Sequence, residues 1–289
     1  MSSAARPTKN RLLAKLTPRA FRKRPDKIIQ IGKFDVAAPF NHYLTWIAKE
    51  QPRRDLALGV AARLVCEKRG PASILVDVGA NIGATAAIMA TACSADLVLV
   101  EPSDVYFPYL EKNAARFPNK TTLLKAFVAD GAPISGSLHH WNGTAHVEPG
   151  ATRETPTLRL ENCAENAAFL KLDTDGFDFR IICANISTLA AWKPILAFEC
   201  QVRDDSFVTD AFETFDALNA IGYNDFVALD DQGYVFLSSR ERRQADQLVR
   251  FISQQTKDKV RLSTGNFDFF FFHAEDADLV EAFLQDTAF

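Results

Sequence analysis

The sequence has no run approaching the eighteen or so consecutive apolar residues that a membrane span requires. It has no Cys-x-x-Cys pair either. Its five cysteines, Cys66, Cys93, Cys163, Cys183 and Cys200, stand apart, most of them in apolar or helical surroundings. They read as buried thiols in a reducing compartment, not as a disulfide frame or zinc site. An excess of charge of one sign is also missing. The 33 Lys and Arg against 36 Asp and Glu leave a net charge of −3, which gives no electrostatic reason to expect nucleic acid as a partner. No internal repeat or low-complexity tract is present. A chain of 289 residues buries ~75% of its unfolded surface, so stability needs no metal or disulfide staple. The expected location is the cytoplasm.

Basic charge is nevertheless unevenly placed. Arg6, Lys9, Arg11, Lys15, Arg19, Arg22, Lys23, Arg24 and Lys27 come before every acid except Asp26. No apolar h-region accompanies them, so they do not form a secretory signal. Residues 1–27 read as a basic, flexible tail. Peripheral contact with an anionic membrane surface, or an organellar transit peptide, is the sharper alternative. Residues 28–70 read as an N-terminal helical cap, an extended piece followed by one or two helices. Leu56, Leu58, Val60, Ala61, Leu64 and Val65 supply its apolar face before Gly70-Pro71 ends the pattern.

What the chain does have is Ile74-Leu75-Val76-Asp77-Val78-Gly79-Ala80-Asn81-Ile82-Gly83, followed by an Ala-rich stretch to Ala92. That is strand, glycine loop and helix, the arrangement that brings a nucleotide-like cofactor against bare backbone and a helix N-terminus. The spacing is Gly-x-x-x-Gly, with Asn81 where a dinucleotide fingerprint would place its second glycine. No Lys-Ser/Thr follows Gly83, so the loop is not a P-loop. Asp77 would repel phosphates. It suits a cofactor with a cationic end, such as the amino group or sulfonium of S-adenosylmethionine. Glu101 closes a second apolar run about twenty residues on, placed to accept hydrogen bonds from both ribose hydroxyls.

The Asp77–Gly83 loop with Glu101-Pro102 resembles the S-adenosylmethionine-dependent methyltransferases of the FkbM family. Phe169-Leu170-Lys171-Leu172-Asp173-Thr174-Asp175-Gly176-Phe177-Asp178 is similar to that family's Lys-Ile-Asp-x-Glu-Gly-x-Glu signature, with Asp175 in place of the usual Glu. Pro194–Glu199 is similar to its next strand. The resemblance covers roughly residues 70–200, and more faintly Phe40–Leu44. It implies a Rossmann-like, seven-stranded class I methyltransferase sheet, mostly parallel, with the last strand antiparallel between two others.

The pattern itself points to α/β architecture with helices on both faces. Strands are expected at 74–78, 96–100, 121–128, 168–173, 194–199 and 267–272, with helices at 178–190 and 207–221. Ser103 is expected to cap the helix leading to Phe117-Pro118. Residues 71–289 would form the catalytic domain, with a hairpin insertion about 134–160 turning at Asn142-Gly143. A second hairpin is expected around Asp231-Gln232-Gly233.

Ligands of open α/β sheets bind at the carboxyl ends of the strands. Those ends carry Asp77, Glu101, Asp130, Asp173, Asp175 and Glu199. Asp77, Gly79, Asn81, Gly83, Glu101 and Asp130 are assigned to the cofactor, Asp130 facing the adenine amino group. Asp173 is the first candidate base or hydroxyl anchor, Asp175 the second, and Lys171 a partner for a carboxylate or substrate. His140, beside His139 and Trp141, is a further candidate base. A divalent metal held by Asp173 and Glu199 is less favoured than a metal-free site. The expected reaction is O-methylation of a small molecule. A sugar of a glycan or glycolipid is the acceptor that the family resemblance implies most often. N-methylation and a non-catalytic cofactor-binding module are the alternatives, and a dehydrogenase is opposed by Asn81. No pattern names the oligomeric state.

Overall fold

Alternating apolar runs lay down a central sheet. In the computed structural model, which describes residues 25–135, 137–141, 144–148, 154–258 and 264–287, the chain opens with a hairpin of β1 (Lys27–Ile31) and β2 (Phe34–Ala38). Helices α1 (Leu44–Glu50) and α2 (Leu56–Arg69) follow. Then come β3 (Ile74–Val78), α3 (Ala84–Ala92), β4 (Asp96–Val100), α4 (Phe107–Ala114) and β5 (Thr121–Leu124). Six short strands interrupt the alternation: β6 (Phe127–Val128), β7 (Ile134–Ser135), β8 (Ser137–Trp141), β9 (Thr144–Glu148), β10 (Glu154–Thr155) and β11 (Thr157–Leu158). It resumes with β12 (Phe169–Leu172), α5 (Asp178–Ala184), α6 (Ile186–Trp192), β13 (Ile195–Cys200) and α7 (Asp205–Ala220). The last elements are β14 (Tyr223–Asp230), β15 (Val235–Ser239), α8 (Arg242–Asp258), β16 (Phe267–His273) and α9 (Leu279–Thr287).

The main sheet runs β15-β14-β16-β13-β12-β3-β4-β5. From β5 to β13 all neighbours are parallel, and β16 lies antiparallel between β13 and β14. Seven of these strands form the expected Rossmann-like order. The eighth, β15, is added at the edge by the hairpin at Asp231–Gly233. Strand parity divides the core in two. Leu75, Leu97, Phe169, Ile195, Phe270 and Phe272 meet α2, α3 and α9 on one face. Val76, Val98, Leu170, Leu196, Phe269 and Phe271 meet α5, α7 and α8 on the other. Consecutive phenylalanines of β16 thus serve opposite layers, as a strand buried on both faces demands.

Several boundaries differ from the sequence expectations. Residues 28–70 begin with a β-hairpin, and α2 buries Ala57, Leu58, Ala61, Leu64 and Val65 in the same core as the sheet. The strand expected at 121–128 ends at Leu124, and β6 leaves the main sheet to pair with β11. The helix expected at 178–190 is broken at Asn185. The buried Asn185 amide donates to Ala129 O and Ile181 O and accepts from Leu160 N–H, so it serves three backbone groups at the junction. Ser103 Oγ accepts from Val105 and Tyr106 N–H, capping a turn that precedes α4. The expected hairpin strands β8 and β9 pair antiparallel. Their Asn142-Gly143 turn and residues 1–24 of the basic tail lie outside the described residues. Among the described residues no helix is long and apolar enough to cross a membrane.

Candidate active site

The loop after β3 is shaped by backbone sterics. Gly79 has φ 81°, and a Cβ there would lie 1.9 Å from Asp173 O. Only glycine lets the loop pass so close to the end of β12. Asn81 also has positive φ, 52°, and is held from two sides. Its N–H donates to Glu101 Oε2 at 2.8 Å, and its Oδ1 lies 3.0 Å from His42 Nε2. Leu44 N–H points at His42 Nδ1, 3.4 Å away, so the ring donates through Nε2. Burial lowers the His42 pKa to about 4, against the Asn81 hydrogen bond. His42 is therefore a neutral strut between the N-terminal segment and the glycine loop.

Glu101 lies at the end of β4, 4% exposed. Its second oxygen accepts from Ser103 N–H at 2.8 Å. Burial pushes its pKa up to about 7, although the Ser103 and Asn81 N–H groups favour the charged form. Each oxygen keeps a lone pair for a further donor. Beside it is a cavity of about 630 Å³, lined by Gly79, Asn81, Glu101, Tyr106, Val128, Asp173 and Asp175 among others. Asp130 is not among its lining residues. The Asp130 carboxylate accepts from Ala132 N–H at 2.9 Å in a local turn, and the wall nearby is built by Ala126, Phe127 and Val128 instead.

Asp77 is fully buried and does not line the cavity. Register explains where it goes: Asp77 on β3 sits directly beside Lys171 on β12. Lys171 Nζ is 3.0 Å from Asp77 Oδ1 and 3.4 Å from Asp173 Oδ2. Thr85 Oγ1 donates to Asp77 Oδ2 at 2.5 Å. Burial disfavours the Lys171 charge, but Asp77 and Asp173 outweigh it and raise its pKa. Lys171 is thus a fixed cation behind Asp173, whose side chain is 47% exposed.

The turn after β12 is tied down by Asp178, which is 2% exposed. Its Oδ2 accepts from Thr174 N–H and Oγ1 at 3.4 and 3.1 Å. Burial, with the Asp173 charge adding, raises its pKa to about 7. Asp175 adopts φ 53°, and its carbonyl accepts from Arg203 Nη2 at 2.9 Å.

Asp173 also lines a second cavity of about 430 Å³, together with Asp55, Lys171, Glu199, Asp268 and Phe270. Asp55 and Asp268 make no ion pair or side-chain hydrogen bond among the described residues. Burial raises the pKa of both, Asp268 to about 8 with Asp55 adding and Arg54 opposing. Glu199 is raised by burial and then by Asp173 and Asp268. Its oxygens are clasped by the Gln201 and Asn266 amides. Among the described residues no group of three or more His, Cys, Asp or Glu side chains could hold a metal ion.

The structure therefore brings together Gly79, Asn81, Glu101, Lys171, Asp173 and Asp175, with Asp77 beneath them. Gly83, at φ 85°, opens α3 behind the loop. For His140 the described structure gives only its backbone pairing with Ala145. The sequence reading missed Asp55, Asp268 and Tyr106. Asp268 left a signal, as the lone acid inside Phe267–Phe272.

Comparison with known proteins adds the following. Residues 77–236 match the model of the methyltransferase FkbM domain. Among solved structures, a methyltransferase FkbM from Methylobacillus flagellatus KT is similar at 13% identity and TM-score 0.43, over 70% of this chain and 44% of that one. This chain thus spans less than half the length of that protein. TYW2 of P. horikoshii in complex with MeSAdo is similar at 12% identity and TM-score 0.44, over 86% and 71%. The Methanococcus jannaschii fibrillarin pre-rRNA processing protein is similar at 13% and 0.41, over 86% and 82%. A comparison with curated proteins found no match.

Proposed function

The chain belongs to the methyltransferase FkbM family, and on that premise we propose that it methylates a hydroxyl of a small molecule with S-adenosylmethionine. A sugar unit of a glycan or glycolipid is the acceptor class we favour. S-adenosylmethionine, when bound, supplies an electrophilic methyl carbon on a sulfonium. The larger cavity suits it: Glu101 faces the ribose hydroxyls with its free lone pairs, and Gly79 keeps the loop clear of any Cβ. The cationic end would find Asp173 and Asp175 rather than Asp77.

The observation that carries the reading is the position of Asp173, which lines both cavities. An acceptor seated in the second cavity would present its hydroxyl at the common rim. There Asp173 accepts the hydroxyl proton while positioning the oxygen for in-line attack. Lys171, 3.4 Å behind, holds the carboxylate in place. The second cavity's lining of four carboxyl groups and Lys171, three of the carboxyls held toward the neutral form by burial, offers donors and acceptors to a hydroxylated acceptor.

The test is Asp173→Asn, assayed by S-adenosylhomocysteine release over a panel of hydroxylated acceptors. We expect turnover to fall by about 10²–10⁴-fold, with calorimetric binding of S-adenosylhomocysteine preserved. Unchanged turnover would remove Asp173 from the mechanism. A protein that fails to bind S-adenosylhomocysteine would refute the cofactor assignment.

A further inference from the structure

We propose that Cys66 and Cys93 form a paired oxidation site, which a hydroperoxide converts into an intramolecular disulfide tying α2 to α3. This inference is independent of the acceptor and of the catalytic assignment. Cys66 lies in the last turns of α2, and Cys93 directly follows α3. Their Sγ atoms are 3.0 Å apart, the Cys66 thiol donating to Cys93. Both are partly exposed, so a small oxidant can reach them.

The other three cysteines are placed differently. Cys163 and Cys200 are buried. Cys183 is exposed, with its Sγ 3.3 Å from Thr214 Oγ1.

The two helices that present the pair are packed together. Gly59 of α2 lies against α3, where a Cβ would come within 3.0 Å of Ile88 Cγ2. Without a side chain at that point, the two helices approach closely there. A disulfide needs sulfurs at about 2.05 Å, so the remaining gap is on the order of 1 Å.

The polarity of the pair assigns the roles. The hydrogen bond from Cys66 lowers the Cys93 pKa, with the Ala95 backbone assisting and burial opposing. The same bond, with burial, raises that of Cys66. Cys93 is therefore the attacking thiolate. Its sulfur takes one peroxide oxygen, the O–O bond breaks, and one water leaves to give Cys93–SOH. The Cys66 sulfur then attacks the Cys93 sulfur, the S–O bond breaks, and the hydroxyl leaves with the Cys66 proton as a second water. Two thiols and one hydroperoxide (hydrogen peroxide in the balance above) yield one disulfide and two water molecules.

The experiment is thiol counting and peptide mapping of the full chain before and after stoichiometric hydrogen peroxide. We expect two of the five thiols to be lost, a Cys66–Cys93 cross-linked peptide, and a melting temperature higher by about 5 °C. Dithiothreitol should restore all three readouts. Cys66→Ser should abolish the cross-link and leave a sulfenic acid on Cys93 that a dimedone probe captures. Cys183→Ser should leave the cross-link intact. A cross-link to any other cysteine would overturn the proposal. So would five titratable thiols after treatment, or overoxidised Cys93 with no cross-link.

Discussion

Glu101 illustrates how a side chain can be prepared for a ligand before the ligand arrives. Backbone N–H groups of Asn81 and Ser103 fix its carboxyl plane, so little rotamer freedom remains to be lost on binding. On the proposed reading, Glu101→Ala would remove a ribose contact and leave those two N–H groups unpaired. Hydrogen bonds to a charged group contribute about 1.5–3 kcal/mol. Calorimetry should therefore show S-adenosylhomocysteine binding weakened by roughly 10–100-fold. The position of Glu101 at the end of β4, beside the glycine loop, was legible in the sequence from the acid's separation from that loop. Asp130 lies apart from the lining of the larger cavity. An Asp before Gly has a local alternative, and its turn to Ala132 N–H wins.

At the level of elements, strand register does most to build the site. Lys171 and Asp77 share a parity and a rung of the parallel ladder, so their pairing follows from two strands being neighbours. Lys171→Met should leave the fully buried Asp77 without its cation, at a cost of about 3–5 kcal/mol. Thermal unfolding should show a drop of roughly 5–10 °C. The double variant Asp77→Asn with Lys171→Met should recover most of that loss, because the unpaired charge goes too.

The strands β3, β4, β12, β13 and β16 could be read from periodicity alone, as short apolar runs separated by helical patterns, whereas the helix α8 was not among the expected elements. Element ends could not always be read. Thr121–Val128 has continuous strand character, and only tertiary pairing with β11 detaches its last two residues. The α5–α6 break was equally hidden, because Asn185 earns its place through Ala129 and Leu160, far away in sequence. Asp55, before α2, has φ 65° and makes no side-chain cap bond. Its carboxyl faces the second cavity instead, so the usual sequence signature of a helix start does not find it.

Across the whole molecule, the carboxyl edge of the sheet concentrates acids that burial holds away from their ordinary ionisation. Glu101 and Asp178 are raised to about 7, and Asp268 to about 8. A carboxyl whose folded pKa lies above its unfolded value binds more protons when folded. It therefore loses stabilisation as pH rises from the unfolded pKa through the folded one. His42 acts in the opposite sense. Lowered from 6.5 to about 4, it binds fewer protons when folded and adds stability as pH rises between those values. Above pH 6.5 the His42 contribution fades while the three carboxyls still titrate, with Cys93, lowered to about 7, the smaller opposing effect. The melting temperature of the ligand-free protein should accordingly fall between pH 6.5 and about 7.5. Glu101→Gln should flatten that slope; a slope unchanged in this variant would assign it to other groups.

The Lys171 bridge has one more consequence, for what turnover does to the interior. If Asp173 takes a proton as proposed, the charge it loses is at the cavity rim, where its side chain is half exposed. Lys171 still has Asp77 at 3.0 Å, so the strand interior stays electrically neutral before and after the transfer. The field felt by β3 and β12 changes little, and the layers packed on them have no cause to relax. The reaction can begin and end over a core that does not register it.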